Sequence, residues 1–135
     1  FAERIEPTPG LRAFLEGLRQ RGIKIGVGSA GMSLNVDFVL ERCGITQYFD
    51  AIANGDLVKR AKPDPEVFVL AARLLGLDNS ECLVFEDSFA GIEAARAAGS
   101  PVVALATTFP RDRHTDYDMI IDDFTQIDAS VVERF

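Results

Sequence analysis

The chain has 135 residues, a length typical of one domain and sufficient to bury roughly two thirds of the surface that the unfolded chain exposes. Apolar residues make up 47% and charged residues 26%, as in soluble globular proteins, and no apolar run approaches the ~20 residues of a membrane span. The net charge of −7 argues against a nucleic-acid partner, because phosphate backbones select basic surfaces. We therefore expect one domain over residues 1–135, with neither a membrane nor a nucleic-acid partner.

Four helices are predicted in chain order from apolar residues that recur at the i, i+3, i+4 and i+7 spacing of one helical face. Each predicted helix is followed by a glycine, which is typical of a helix end. The first three apolar faces are Leu11, Phe14, Leu15 and Leu18, then Val36, Val39, Leu40 and Cys43, then Phe68, Ala71, Ala72 and Leu75. The fourth helix is predicted over residues 89–98.

Short apolar runs, several rich in β-branched residues, lie between these helices and are predicted to be strands. The runs cover residues 23–27, 51–53, 82–85, 102–106 and 119–121. Helices and strands alternate with mostly short connections, which is the pattern of a parallel sheet covered on both faces. We predict an open, doubly wound α/β fold in three layers, similar to a Rossmann fold.

Cysteine and histidine are rare in this chain, with two cysteines and one histidine. Cys43 and Cys82 have no metal-ligand spacing and are predicted to be small core residues. The only histidine, His114, lies in a polar loop and is predicted to be a surface residue. Because nothing indicates an oxidising compartment, we expect a cytoplasmic protein. The chain begins at Phe1 rather than at methionine, and we expect it to be a piece of a longer protein.

Two adjacent carboxylates, Glu86 and Asp87, follow an apolar run and precede the fourth helix. Ligands of open α/β sheets bind beyond the carboxyl ends of the strands, and paired carboxylates there form an oxygen site suited to Mg²⁺. Asp87, nearer the turn, is the stronger candidate for a direct ligand, with Glu86 binding directly or through water. The alternative is that Asp87 or Ser88 only caps the helix that follows.

Lys62 and Ser29 stand at two further connections into helices. Pro63 keeps Lys62 out of the helix, and an ammonium presented there is suited to bind a phosphoryl oxygen and to offset a buried carboxylate. The hydroxyl of Ser29 and the amides after it, beginning with Ala30, are suited to hold a phosphoryl group. Taken singly, each residue is more often a solvated lysine or an ordinary turn serine.

A competing motif occupies the same segment. The run 26–31 has the pattern G-x-G-x-x-G, the fingerprint of dinucleotide-binding domains. That fingerprint requires an acid about 20 residues further on, at the carboxyl end of the next strand, to bind the ribose. Asp50 precedes the next apolar run and Asp56 follows it after a glycine, so the match is imperfect. It also leaves Lys62 and the paired carboxylates unexplained.

Taken together, three segments resemble motifs of the haloacid dehalogenase superfamily of phosphotransferases, and the chain looks closest to its β-phosphoglucomutase-like and sugar-phosphatase branch. The run IGVGSA (25–30) resembles the second motif, whose serine or threonine binds the phosphoryl group. The run KPDP (62–65) resembles the third, whose lysine steadies the charge of nucleophile and phosphate. The run VFEDSFAGI (84–92) resembles the fourth, whose acids bind Mg²⁺. The resemblance covers essentially the whole chain.

The resemblance implies a role for each candidate residue. Ser29 and Lys62 would be catalytic, Ser29, Ala30 and Lys62 would bind phosphate, and Glu86 and Asp87 would bind Mg²⁺. The implied reaction starts from a small phosphorylated metabolite, such as a sugar phosphate. An aspartate takes the phosphoryl group, which then passes to water or to a sugar hydroxyl.

The family's first motif, D-x-D-x-T/V, supplies the aspartate nucleophile and does not occur in this sequence. In relatives the strand that carries it lies in the middle of the sheet, so we expect two strands here to expose unpaired backbone groups along a gap. Such a chain should retain the missing amino-terminal piece as a separate fragment, fill the gap by self-association, or have low stability. By itself it should have no turnover.

Three function hypotheses follow from these observations. The leading one is the catalytic core of a Mg²⁺-dependent phosphatase or phosphomutase with its nucleophile outside the chain. The second is a dinucleotide-binding domain that uses the run 26–31, and the third is a non-catalytic phosphate-binding module. Hydrolysis and mutase action stay open alternatives within the first hypothesis.

Overall fold

The computed structural model describes residues 9–29, 39–107 and 109–135, in which helices and strands alternate as predicted. The helices are α1 (Leu11–Gln20), α2 (Glu66–Leu75) and α3 (Phe89–Ala98). The strands are β1 (Gly26–Gly28), β2 (Ala51–Ala53), β3 (Val84–Glu86), β4 (Val102–Leu105) and β5 (Met119–Ile121). Residues 39–43 are helical and belong to the second predicted helix, whose earlier residues lie outside the described ranges.

The helix ends follow local chemistry that the sequence already indicated. Gly76 and Gly99 end α2 and α3 with φ of 72° and 88°, in the left-handed region where a side chain would be strained. At the start of α3 the hydroxyl of Ser88 accepts the N–H of Gly91 at 3.0 Å. Ser88 therefore caps this helix, as predicted for Asp87 or Ser88.

Two strands begin later than predicted, because preceding turns use their backbone groups. The N–H of Ile23 donates to Leu18 O at 3.0 Å and so completes the end of α1, which delays the start of β1 to Gly26. The N–H of Cys82 closes a short 3-10 turn, and β3 therefore starts at Val84 and ends at Glu86 rather than at Phe85. The chain thus turns after the first of the two carboxylates.

The five strands form two parallel sheets. β1 pairs with β2, while β4 lies between β3 and β5. The carboxyl ends are in register, with Gly28 opposite Ala53 and Glu86 opposite Ala104. Among the described residues, β1 and β3 each keep one edge without a partner strand, so the predicted single sheet is observed in two parts.

Helices cover both faces of the sheets. All four residues of β4 are buried, and their side chains alternate between two apolar clusters. Val103 and Leu105 pack in the cluster that contains α1, whereas Val102 and Ala104 pack in the cluster that contains α2 and α3. The three-layer α/β architecture is therefore confirmed. In the described ranges, none of the helices combines the length and apolar character needed to span a bilayer.

Asp118 joins neighbouring strands at the amino-terminal edge of the larger sheet. Its Oδ2 accepts the N–H of Val102 at 2.8 Å and lies 2.9 Å from Nη1 of Arg96. The hydrogen bond from Val102, and secondly the guanidinium of Arg96, lower the pKa of the Asp118 carboxyl. Asp50 holds the start of β1 in the same way, by accepting a backbone N–H and pairing with an arginine.

We expect Asp118→Asn to lower the free energy of unfolding at pH 7 by about 1 kcal/mol, the difference between a charge-assisted and a neutral hydrogen bond. Because the folded pKa is lowered, the carboxylate stabilises the fold above the unfolded pKa of ~3.9 and loses this effect as the pH falls through the folded value. Urea unfolding at pH 7 and pH 3 should therefore show a deficit that shrinks in acid. Asp116→Asn is the control, because Asp116 contacts the same arginine with a side chain that is 71% exposed. Equal deficits at both pH values would contradict the assignment.

Candidate functional site

The carboxyl ends of β1 and β3 meet at one lysine. Nζ of Lys62 lies 2.8 Å from Oε2 of Glu86 and donates to the carbonyl oxygen of Gly28 at 3.2 Å. The first contact reaches the last residue of β3 and the second reaches the last residue of β1. Ser29 and Asp87 follow these residues directly along the chain. The structure therefore brings the predicted serine, lysine and paired acids to one edge of the fold.

The side chain of Lys62 contacts α2. Its ammonium lies 4.8 Å from the centroid of the Phe68 ring, a cation–π distance, and its side chain is mostly buried. Phe68 is itself a buried residue of the first turns of α2. The helix α2, which follows Lys62 along the chain, therefore supports the Lys62 side chain. Ala30, predicted to bind phosphate, lies outside the described residues.

Glu86 is a buried residue, 8% exposed as a whole, and its carboxylate accepts hydrogen bonds on both oxygens. Oε2 receives the Lys62 ammonium. Oε1 lies 3.2 Å from the backbone nitrogens of Asp87 and Ser88 and 3.1 Å from the Ser88 hydroxyl. These groups precede α3, where the aligned peptide dipoles favour an anion. A cation and a helix start therefore compensate the charge of this carboxylate, which explains how it can be buried.

Gly91 allows α3 to approach this carboxylate. A Cβ at position 91 would lie 2.0 Å from Cδ and 2.3 Å from Oε2 of Glu86, well inside van der Waals contact. Residue 91 therefore positions Glu86, a role that sequence reasoning missed. The available signal was a glycine inside a predicted helix, which costs about 1 kcal/mol relative to alanine and so needs a packing reason.

The oxygen chemistry of this edge fits Mg²⁺, but only part of a coordination shell is present. Mg²⁺ prefers octahedral oxygen ligands and usually keeps several waters. The oxygens of Glu86 accept hydrogen bonds from Lys62 and from the groups before α3, so a direct bond from this carboxylate to a metal would have to replace one of them. Asp87, nearer the turn, stays the predicted direct ligand. In the described part of the chain, no three His, Cys, Asp or Glu residues form a metal cluster. Further ligands would have to come from outside that part.

The glycines of the G-x-G-x-x-G pattern have a packing role here. Gly26 and Gly28 lie within β1 and not in the turn after it. A Cβ at Gly28 would come within 2.9 Å of the Phe68 ring, and one at Gly26 within 3.1 Å of Leu75. Both contacts are made by α2, so the missing side chains let this helix pack closely on the strand. The third glycine, Gly31, lies outside the described residues.

His114 is a correction to the sequence prediction, because it is 5% exposed and not a surface residue. Its ring lies against Phe89 and Phe109, with centroids at 5.3 and 6.3 Å, and these two rings stack at 4.4 Å. Phe89 opens α3, so the polar loop folds back over the helix start.

The two cysteines are free thiols, with Cys43 buried and Cys82 partly buried, and burial raises the pKa of both.

Comparison with known proteins shows which family this chain matches. Residues 1–99 match the model of haloacid dehalogenase-like hydrolases. The putative phosphatase YhcW of Bacillus subtilis is 33% identical over 136 residues, which is 98% of this chain and 62% of that protein. The fructose-1-phosphate phosphatase YqaB of Escherichia coli is 38% identical over 99 residues, which is 73% of this chain and 52% of that protein.

A solved structure agrees with these matches at the level of the fold. The β-phosphoglucomutase of Clostridium difficile is similar with a TM-score of 0.84 and 30% identity, covering 94% of this chain and 55% of that chain. The chain therefore spans between about half and about three fifths of the length of these relatives.

Proposed function

This chain belongs to the haloacid dehalogenase-like hydrolase family, and from that premise we propose that it forms part of the catalytic core of a Mg²⁺-dependent phosphatase or phosphomutase. The substrate would be a small phosphorylated metabolite, such as a sugar phosphate. The observation that carries the proposal is the Lys62 ammonium, held between the ends of β1 and β3 beside the paired acids. Phosphoryl transfer depends on such positioned cations and oxygen ligands, because the transferring group is highly charged.

Each residue at this edge has a defined task in the proposal. An ammonium has three donors, and in the described part of the chain Lys62 uses two of them, on Gly28 and Glu86. The third would bind a phosphoryl oxygen. Ser29 and the amides after it would hold the same group from the end of β1. Mg²⁺, bound through Asp87 with Glu86 behind it, would offset the charge of the phosphate.

We place the nucleophile outside residues 1–135. The sequence contains one D-x-D pair, Asp116 and Asp118, but not the complete first motif of the family. These two aspartates precede β5, at the edge opposite to Lys62, and Asp118 is used there to hold Val102. In the complete protein another aspartate would attack the phosphate ester, displace the alcohol and pass the phosphoryl group to water or to a sugar hydroxyl.

Phosphate release from a panel of sugar phosphates tests the proposal. The complete protein should release phosphate in the presence of Mg²⁺, and the release should stop when EDTA is added. The pure 135-residue chain should release none. Ser29→Ala in the complete protein should lower kcat/KM by about 10²–10³-fold, the usual cost of removing one donor to the transferring group. Ser80→Ala is the control, because Ser80 is exposed and precedes β3 at the opposite edge.

Each outcome has a consequence. Turnover by the 135-residue chain would contradict the placement of the nucleophile. A folded complete protein without activity on any phosphate ester would contradict the proposed reaction class. Thermal stabilisation by NAD, with none by Mg²⁺ and a phosphate mimic, would favour the dinucleotide-binding alternative.

A further inference from the structure

The segment that carries Lys62 lies between β2 and α2 and is closed by the first residue of that helix, Glu66. The carboxylate of Glu66 reaches back along the chain to two consecutive backbone amides. Its Oε1 accepts the N–H of Lys59 at 3.0 Å. Its Oε2 accepts the same N–H at 2.9 Å and that of Arg60 at 3.1 Å. These hydrogen bonds join the two ends of the loop 59–66, and Lys62 lies inside this loop.

A tight turn within the loop contains Lys62. The N–H of Asp64 donates to Ala61 O at 3.0 Å, which closes the turn around the lysine. Oδ1 of Asp64 in turn accepts the N–H of Glu66 at 3.0 Å. Asp64 therefore connects the turn to the start of α2, and Glu66 connects the start of α2 to the residues before the turn.

Two features favour the charged form of the Glu66 carboxyl. The hydrogen bond from the backbone of Lys59, and secondly that from the backbone of Arg60, lower its pKa. Glu66 also stands in the first turn of α2, where the aligned peptide dipoles favour an anion. Hydrogen bonds to a charged acceptor are about twice as strong as neutral ones, so this carboxylate is suited to hold the loop closed.

The position of this loop matters because the Lys62 ammonium reaches the ends of two strands at once. It donates to the carbonyl oxygen of Gly28 and to Oε2 of Glu86. A lysine side chain is a flexible four-carbon stem, so the ammonium is well placed only if the backbone that carries the stem is fixed. A displacement of about 1 Å in a group that acts on a substrate can lower the rate about 100-fold.

We propose that Glu66 is a positioning residue, which fixes the loop 59–66 and thereby holds the Lys62 ammonium in place. Glu66 acts through the backbone of the loop, by way of the amides of Lys59 and Arg60. The effect on catalysis rests on the proposed function, whereas the position of the ammonium can be measured in a protein without activity.

Chemical labelling of lysines tests the position of the ammonium without reference to catalysis. The side chain of Lys62 is buried and paired with a carboxylate, so acetic anhydride should acetylate it slowly in the complete protein. Glu66→Ala should raise its rate of acetylation at least ~10-fold, because the loop opens more often. Mass spectrometry measures this rate relative to that of Lys24, an exposed lysine that precedes β1.

Steady-state kinetics of phosphate ester hydrolysis measures the effect on catalysis. Glu66→Ala in the complete protein should lower kcat/KM by about 10–100-fold, the cost of a misplaced acting group. Glu66→Gln should recover part of the loss, because its single carbonyl oxygen can still accept the two amides. If Glu66→Ala fails to fold, Glu66→Gln replaces it, with smaller changes in the same directions.

Glu81 supplies the matched control. It also accepts a backbone N–H in a turn, that of Asp78 at 3.1 Å, and it precedes β3 at the edge opposite to Lys62. Glu81→Ala removes the same kind of hydrogen bond and should leave the acetylation of Lys62 and kcat/KM within about twofold of the native values.

Three results would overturn the proposal. An unchanged rate of Lys62 acetylation in Glu66→Ala would mean that the ammonium keeps its place without this loop closure. Equal effects of Glu66→Ala and Glu81→Ala would mean that Glu66 contributes only general stability. Faster acetylation with an unchanged kcat/KM would mean that catalysis does not depend on this position. A complete protein without activity on phosphate esters would contradict the proposed function, and the acetylation rates would still decide whether Glu66 positions Lys62.

Discussion

Lys62→Met is expected to lower the free energy of unfolding by about 3–5 kcal/mol, the usual cost of removing one partner from a buried ion pair. The side chains of Lys62 and Glu86 are only 13% and 10% exposed, so the remaining carboxylate would stay buried without its cation. Methionine retains an unbranched apolar side chain at this position and removes the charge, together with the cation–π contact on Phe68. The loss therefore reports on the contacts of the ammonium and not on a cavity. Urea unfolding at pH 7 measures it.

The double variant Lys62→Met/Glu86→Gln tests whether the two charges stabilise the fold as a pair. If the two groups act as one unit, the double variant should be destabilised by much less than the sum of the single variants, because neither charge is left alone. Lys59→Met is the control, since Lys59 is an exposed lysine of the same loop and should change stability by no more than about 0.5 kcal/mol. Additive losses in the double variant would show that the pair is not coupled.

Gly91→Ala is expected to cost about 1–3 kcal/mol and to displace the Glu86 carboxylate from Lys62. A methyl group 2.0 Å from Cδ of Glu86 cannot be accommodated unless the carboxylate or the first turn of α3 moves. The gain in helix propensity of about 1 kcal/mol offsets part of this cost. A net destabilisation in spite of the better helix former is therefore the informative result, and it is measured by urea unfolding.

The cost of Lys62→Met in the Gly91→Ala variant shows whether Gly91→Ala displaces the Glu86 carboxylate or only strains the helix. With the carboxylate displaced, Lys62→Met should cost less in the Gly91→Ala background than in the native chain. Gly17→Ala is the matched control, because residue 17 also lies within a helix but its Cβ would face only a methyl group of Ala129 at 3.0 Å. We expect that change to stay within about 1 kcal/mol of the native stability. An unchanged cost of Lys62→Met would contradict the positioning role of Gly91.

The ion pair and the proposed chemistry impose different demands on the same residues. A buried pair is stable only while both charges are present, whereas phosphate binding would use the donor of the ammonium that Gly28 and Glu86 leave over. The contact with Phe68 and the groups before α3 hold the two charges when no ligand is bound. The carboxylate that holds the lysine is thus separate from Asp87, the residue proposed for the metal.

Local patterns along the chain determined the helices, the order of the elements and the set of candidate residues. Helical spacing of apolar residues and glycine stops predicted α2 and α3 correctly, because helix formation depends on contacts within a few residues. The strand positions were right, but β1 and β3 begin later than predicted. The beginning of β1 depends on Asp50, which is distant in sequence and accepts the N–H of Ile25.

Only the tertiary structure decided how the candidate residues relate to each other. The sequence placed Ser29, Lys62 and Asp87 at connections into helices, and ligands of open α/β sheets bind beyond the carboxyl ends of the strands. It did not distinguish Glu86 as the partner of Lys62 from Glu86 as a metal ligand, and it missed Gly91 and the burial of His114. These depend on side chains that approach from separate elements, and no periodicity along the chain encodes such distances. The division into two sheets is likewise a property of the packed chain, since a strand edge is open or paired only with respect to its neighbours.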